Sequence, residues 1–228
     1  MVLLEHTPEG LLALNRGTAG ARALSMSLDG TPASGEVPPA LAPHLPALAA
    51  FTTRMHERYG DVTVEWVLAD GEPHFVDYSL LGGDALTGDH GGTLVSAGSA
   101  SGPLLSLSDD ELLSRLSVGP AVSVDRSKDV AEHAEIARLL EKVQSMPQPP
   151  VIRAHRPYAV LSVLIGAVAG FVFDEGSVLC HLAILLREAG VPALVAADLG
   201  ELPDGGETVI GEGTVTVATN GRSTTDER

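Results

Sequence analysis

The sequence predicts an α/β protein, and three stretches carry that prediction. Residues 168–197 read as strand, turn, helix, strand. An apolar run from Val168 to Phe173 leads into a polar turn through Gly176 and Ser177. A short helix follows from about His181 to Ala189, then a second apolar run from Ala193 to Ala197. Residues 129–143 set Val130, Ile136, Leu139, Leu140 and Val143 on one side of a helix, with Glu132, Glu135, Arg138, Glu141 and Lys142 on the other. Residues 45–78 read as a helix followed by a hairpin.

The elements follow in order. Residues 1–35 carry little periodic signal: a helical turn over Glu9–Leu14 and strands around Gly17 and Gly20 are the expectation. Asp29–Pro46 is rich in Pro, Gly and Ala and reads as loop. Leu45–Tyr59 has Leu48, Phe51, Met55 and Tyr59 at helical spacing, with Gly60 as the stop. Val62–Leu68 is a strand, Asp70-Gly71 a hairpin turn, and His74–Tyr78 the returning strand. Gly82–Gly92 is a Gly- and Asp-rich linker. Ala121–Val124 and Val151–Ile152 are short strands on either side of the amphipathic helix, with His155-Arg156 in the loop after the second. Gly190 terminates the last helix and Pro192 stands just beyond it. Glu207–Ile210 and Thr214–Ala218 pair as a closing hairpin, and the polar tail from Thr219 is frayed.

Composition narrows the function classes. The 228 residues suffice for one large or two small domains. Thirty acidic residues against 14 basic ones give a formal charge of −16, which argues against a nucleic-acid or anionic-membrane surface. A single cysteine excludes an internal disulfide framework and fits a reducing, cytoplasmic setting. Met1–His6 shows no basic segment followed by a long apolar one, so no signal peptide is expected. Tyr158–Phe173 is strongly apolar, but it falls short of the ~20 residues a spanning helix needs. Gly166 and Gly170 also interrupt it, so a helix followed by a buried strand is expected there. The eight histidines form no HExxH or paired Cys/His pattern, so no metal site is expected.

The chemistry concentrates at His181. It stands at the first turn of a helix, where free N–H groups favour an anion and a glycine turn exposes more of them. A neutral imidazole there can attack a phosphoryl group, whose dianion would rest on the helix start. Ser177 and Cys180 can donate hydrogen bonds to it. The simpler alternative is that His181 only caps or packs against its helix. A Cys180 nucleophile is disfavoured, because its sequence neighbour His181 does not face it and no third group orients the pair.

The stretch containing Gly176, Cys180, His181, Ala183, Ile184, Arg187, Glu188, Gly190, Val191, Pro192 and Ala193 resembles the phosphohistidine signature of the PEP-utilising enzymes' mobile domain, as in PEP synthase and pyruvate phosphate dikinase. Ser177 replaces the family's second glycine and Leu179 its usual threonine. The resemblance implies a swivelling β/β/α phosphohistidine domain over 90–219 in which His181 is phosphorylated. The N–H groups from Gly176 to Cys180, with Ser177 and Cys180, would hold the phosphoryl oxygens. Leu94–Pro103 resembles the start of that domain, with Ala97 where proline is usual.

A weaker resemblance covers the first helix and hairpin. Tyr59-Gly60, Val64-Glu65-Trp66 and Gly71 are similar to the end of the family's ATP-grasp domain. It implies a small α+β ATP-grasp-like remnant over 1–89, with Glu65 in a magnesium-nucleotide role; a solvent-facing strand residue is the alternative. Tyr78, Leu80 and Leu81 stand where the family has Gln, Arg and Pro, and no phosphate-cradling glycine loop with a lysine is present.

The chain alone is therefore not expected to bind a cofactor. ATP and Mg2+ would come through a partner, an ATP-grasp kinase subunit, with a separate acceptor-site protein. A non-catalytic scaffolding subunit that keeps the swivelling fold is the rival expectation, and a truncated piece of a longer enzyme is a third. Residues 220–228 are expected to be a disordered tail.

Overall fold

The computed structural model describes residues 1–80, 93–118, 126–195, 204–211 and 214–218. The expected linker Gly82–Gly92, the strand Ala121–Val124 and the tail from Thr219 lie outside the described residues.

The main body is a mixed α/β structure around a seven-stranded sheet. Strand β6 (Thr93–Ser96) is followed by β7 (Ala100–Leu107), β8 (Val151–Ala154), β9 (Gly170–Phe173), β10 (Ala193–Val195), β11 (Glu207–Gly211) and β12 (Thr214–Ala218). Their order across the sheet is β12-β11-β7-β8-β9-β10-β6. The four central strands, β7 to β10, run parallel, and antiparallel neighbours close both sides. Parallel strands are normally buried on both faces and read as unbroken apolar runs. That is why Gly170-Phe-Val-Phe173 and Val151-Ile152 were recognisable as strands.

Alternation along each strand divides the side chains between two cores. Leu105, Leu107, Ile152, Ala154, Phe171 and Phe173 face the helices. Leu104, Val151, Val172 and Leu194 face the other way. No helix contributes to this second cluster among the described residues. Ile210 of β11, with Leu94, Ala100 and Val215 beside it, fills the cluster because the sheet curls over itself. Gly170 permits this closeness: a Cβ there would stand 2.8 Å from the Pro192 carbonyl oxygen and 2.9 Å from Ile210 Cδ1.

Three helices cover the first face: α3 (Asp110–Val118), α4 (Arg126–Gln144) and α5 (His181–Ala189). From α4, Val143 is buried and Ile136, Leu139 and Leu140 pack beside it, on the side the periodicity indicates. The sequence reading did not identify α3. The expected helix before β9 is a 3-10 helix over Ala159–Leu164, and β9 starts at Gly170 rather than at Val168. Gly166 adopts a positive φ of 90°, which ends the 3-10 turn and redirects the chain into the strand.

Residues 1–80 form two smaller sheets. Strands β1 (Val2–His6), β2 (Arg22–Met26) and β3 (Pro32–Ser34) make a three-stranded antiparallel sheet, and α1 (Leu11–Asn15) links the first two. Helix α2 (Leu45–Tyr59) buries Leu45 and Ala49 with Val2, Leu24 and Met26. The hairpin β4 (Val62–Ala69) and β5 (Glu72–Leu80) packs on the same helix, with Phe51 against Trp66 and Phe75 at centroid distances of 4.9 and 5.4 Å. The helix and hairpin follow the sequence pattern. Strand β1 was not expected. In Val2-Leu-Leu-Glu-His6, Val2 and Leu4 face the small core, whereas Leu3 packs against the main body.

Phe173 is fully buried and stacks on Phe171 at 5.8 Å, so truncating it leaves a cavity next to α5. Phe173→Ala should cost about 3–5 kcal/mol of unfolding free energy in a denaturant titration. Val163→Ala, at an exposed apolar position, should change it by less than ~0.5 kcal/mol.

Candidate active site

Strand β9 ends at Phe173 and delivers the chain into the bend Asp174–Cys180. Asp174 N–H donates to the Ala154 carbonyl and Glu175 N–H to the His155 carbonyl, so the bend starts pinned to the loop after β8. Gly176 has φ of 132°, a value that only glycine adopts freely, and a Cβ there would run into the Pro157 ring. Cys180 then takes extended geometry as the N-cap of α5, and His181 is the first helical residue. Gly190, in the left-handed conformation, ends the helix, with Val191 N–H returning to the Leu186 carbonyl at 2.9 Å.

His181 is exposed, and its imidazole has no hydrogen-bond or ion-pair partner among the described residues. The next residues of the helix turn inward: Leu182, Ala183 and Leu186 are fully buried beneath the sheet. The amphipathic pattern thus fixes the helix and leaves its first side chain in solvent.

Cys180 is placed differently. Its side chain is fully buried and its thiol faces the Pro157 carbonyl at 3.8 Å. Burial pushes that thiol up to about 12, so it stays protonated and is a poor nucleophile. What Cys180 offers the site is therefore the geometry of the cap and not a side-chain donor.

Ser177 is buried, and its hydroxyl donates to the Glu5 carboxylate. Glu5 also accepts from Val178 N–H at 3.0 Å and from Leu179 N–H at 3.3 Å. A carboxylate from the first strand thus fills the amide-lined bend immediately before His181. Such charge-assisted bonds contribute about 1.5–3 kcal/mol each, against about 0.3–1 kcal/mol for a helix macrodipole. The local amides therefore dominate the site's affinity for anions. Burial raises the Glu5 carboxyl above the ordinary carboxylate range, while Ser177, the two amides and the nearby Arg187 charge pull it partly back.

Arg187 ties this corner together. Its Nη1 donates to the carbonyls of Val95 and Val178, both at 2.9 Å, joining α5 to β6 and to the bend. Its Nη2 is buried without a hydrogen-bond partner among the described residues. Its contacts are thus with the bend and β6.

His155 and Arg156 stand in the loop after β8. Both lie against Glu175, and Arg156 also donates to the Thr18 carbonyl, so they serve the junction between the N-terminal segment and the bend. Glu65 is on β4 and accepts from Asn15 Nδ2 at 3.1 Å, a contact with α1. No cluster of three or more His, Cys, Asp or Glu side chains that could hold a metal ion occurs among the described residues. Nor is any described helix long and apolar enough to cross a membrane.

Sequence reasoning missed Glu5. Val2-Leu-Leu-Glu-His6 has no period-two pattern, and the partner of Glu5 lies over 170 positions away and leaves no local trace.

Two comparisons bear on this site. Residues 147–215 match the family described as PEP-utilising enzyme, mobile domain, a span that includes β8 to β11 and His181. Over 182 residues the chain is 26% identical to the "Probable phosphoenolpyruvate synthase" of Methanothermobacter thermautotrophicus. That alignment covers 73% of this chain and 23% of the relative, so the chain matches less than a quarter of that protein's length.

The raised Glu5 carboxyl has a consequence for stability. A carboxyl whose folded-state affinity for protons exceeds its unfolded one stabilises the fold when protonated and loses that contribution as pH rises through its folded value. Glu5→Gln lacks this contribution. Thermal unfolding of both proteins from pH 4.5 to 7.5 should show the wild type losing ground to the variant as pH rises.

Proposed function

We propose that the chain is the phosphocarrier component of a PEP synthase-like phosphotransferase, with His181 as the residue that takes and releases the phosphoryl group. The observation that carries this reading is an exposed imidazole at the start of α5, without a partner among the described residues, one residue beyond an amide-lined bend that holds the Glu5 carboxyl. The matches to the mobile domain and to a phosphoenolpyruvate synthase support it.

The chemistry is an in-line displacement. An unprotonated ring nitrogen of His181 attacks the phosphorus of a donor, a nitrogen–phosphorus bond forms, and the donor's phosphorus–oxygen bond breaks with its electron pair leaving on oxygen. The second step runs the same displacement in the forward sense: an acceptor oxygen attacks phosphorus and the imidazole leaves. Backbone amides of the bend and the free first-turn amides of α5 would hold the phosphoryl oxygens. ATP and Mg2+ belong to an ATP-grasp kinase subunit, and the acceptor site to another protein or subunit. The residues 1–89 would be a reduced remnant of an ATP-grasp end, in which Glu65, bound to Asn15, keeps a structural part. The domain division near residue 90 and a cytoplasmic setting belong to the same reading.

One observation favours a second reading. Glu5 occupies donors that a phosphoryl group would use, and Leu179 supplies no hydroxyl. A non-catalytic subunit that keeps the swivelling fold and docks to a full-length phosphotransferase would look the same.

Incubation with γ- or β-labelled ATP and the ATP-grasp protein that co-purifies from the native host separates the two. The carrier reading expects acid-labile, base-stable label on this chain, abolished by His181→Ala. If the partner is active and the wild-type chain stays unlabelled, the scaffolding reading replaces it.

A further inference from the structure

The bend before α5 is an occupied anion site, and its occupant belongs to the chain itself. Three donors converge on the Glu5 carboxylate: Ser177 Oγ, Val178 N–H at 3.0 Å and Leu179 N–H at 3.3 Å. Ser177 Oγ in turn accepts from Leu179 N–H at 3.0 Å, which fixes the hydroxyl so that its proton points to Glu5. Beside them Arg187 keeps one buried nitrogen without a hydrogen-bond partner among the described residues. A pair of successive amides and a hydroxyl on one bend, with a guanidinium close enough to act on the same carboxyl, form a set suited to a tetrahedral oxyanion.

We infer that Glu5 is a resident anion in the phosphoryl-oxygen site next to His181, and that a phosphoryl group gains those donors only when Glu5 withdraws. The inference rests on the carrier reading of His181 for its functional meaning, but the anion exchange itself does not.

The geometry of β1 makes withdrawal local. Leu3 and Glu5 face the main body, while Val2 and Leu4 belong to the small core with Leu24 and Met26. Moving the Glu5 side chain leaves the ladder between β1 and β2, Val2 to His6 against Met26 to Arg22, intact. The connection also runs outward: Arg16, Thr18 and Arg156 hold the segment after β1 to the loop before the 3-10 helix. A partner that grips the N-terminal sheet can thereby change access to His181.

Two measurements test this on the full chain, with Glu5→Ala and the shape-preserving Glu5→Gln. The first is titration with inorganic phosphate, read from the amide resonances of Val178 and Leu179. Both variants should show saturable shifts, and the wild type should need at least tenfold more phosphate. Equal response of wild type and variants, or no response in any of them, overturns the inference.

The second is reaction with phosphoramidate, in which a His181 ring nitrogen attacks phosphorus, the phosphorus–nitrogen bond of the reagent breaks and ammonia leaves. Labelling of His181 should be at least fivefold faster in the variants, with His181→Ala as the blank. Equal rates overturn the competition by Glu5 and leave the carrier reading standing. Phosphate binding in the variants without any labelling of His181 upholds the exchange at the bend and removes the carrier reading.

Discussion

The contact between the Glu5 carboxylate and the bend Ser177–Leu179 is the constraint on which the arrangement around His181 depends. Without an acceptor, the Val178 amide and the Ser177 hydroxyl would be left in a largely buried corner, at a cost of about 1–3 kcal/mol each, while the Leu179 amide would keep only its bond to Ser177 Oγ. With it, the bend has one conformation. That conformation sets the direction in which α5 starts, and so where the first residue of the helix points. Gly176 and Pro157 fix the same bend from the other side, and Arg187 closes it against β6.

The rest of the main body supplies rigidity. Alternating side chains fill both faces of the parallel strands, so β9 cannot slip by one residue without exchanging its two cores. The burial of Leu182, Ala183 and Leu186 anchors α5 on that platform. The same platform holds the exposed imidazole of His181 at the edge of a fixed helix.

Much of this was legible in the sequence because the signals were local. Gly190 and Pro192 closed α5, the apolar run ending at Phe173 gave β9, and the stripe Ile136, Leu139, Leu140 and Val143 gave α4. The position of His181 at the helix start followed from the same reasoning. Other features rest on contacts distant in sequence. Strand β6 is too short to stand out and is defined by pairing with β10, about 100 residues later. The 3-10 helix Ala159–Leu164 has the composition of an α-helix, but Gly166 cuts it short. Glu5 carried no signal in the sequence, and Cys180 read as a hydrogen-bond donor to phosphate. The first is drawn into the bend by orphan amides, and the second is turned inward by the apolar pocket under α5.

The central claim is that the Glu5 carboxylate holds the amides of the bend before His181. Hydrogen exchange at Val178 and Leu179, compared between the wild type and Glu5→Ala, tests it most directly. The account predicts protected amides in the wild type and, in the variant, much faster exchange at Val178 and a smaller increase at Leu179, whose N–H also donates to Ser177 Oγ, with the amides of β9 unchanged. Equal protection of Val178 and Leu179 in both proteins would contradict it.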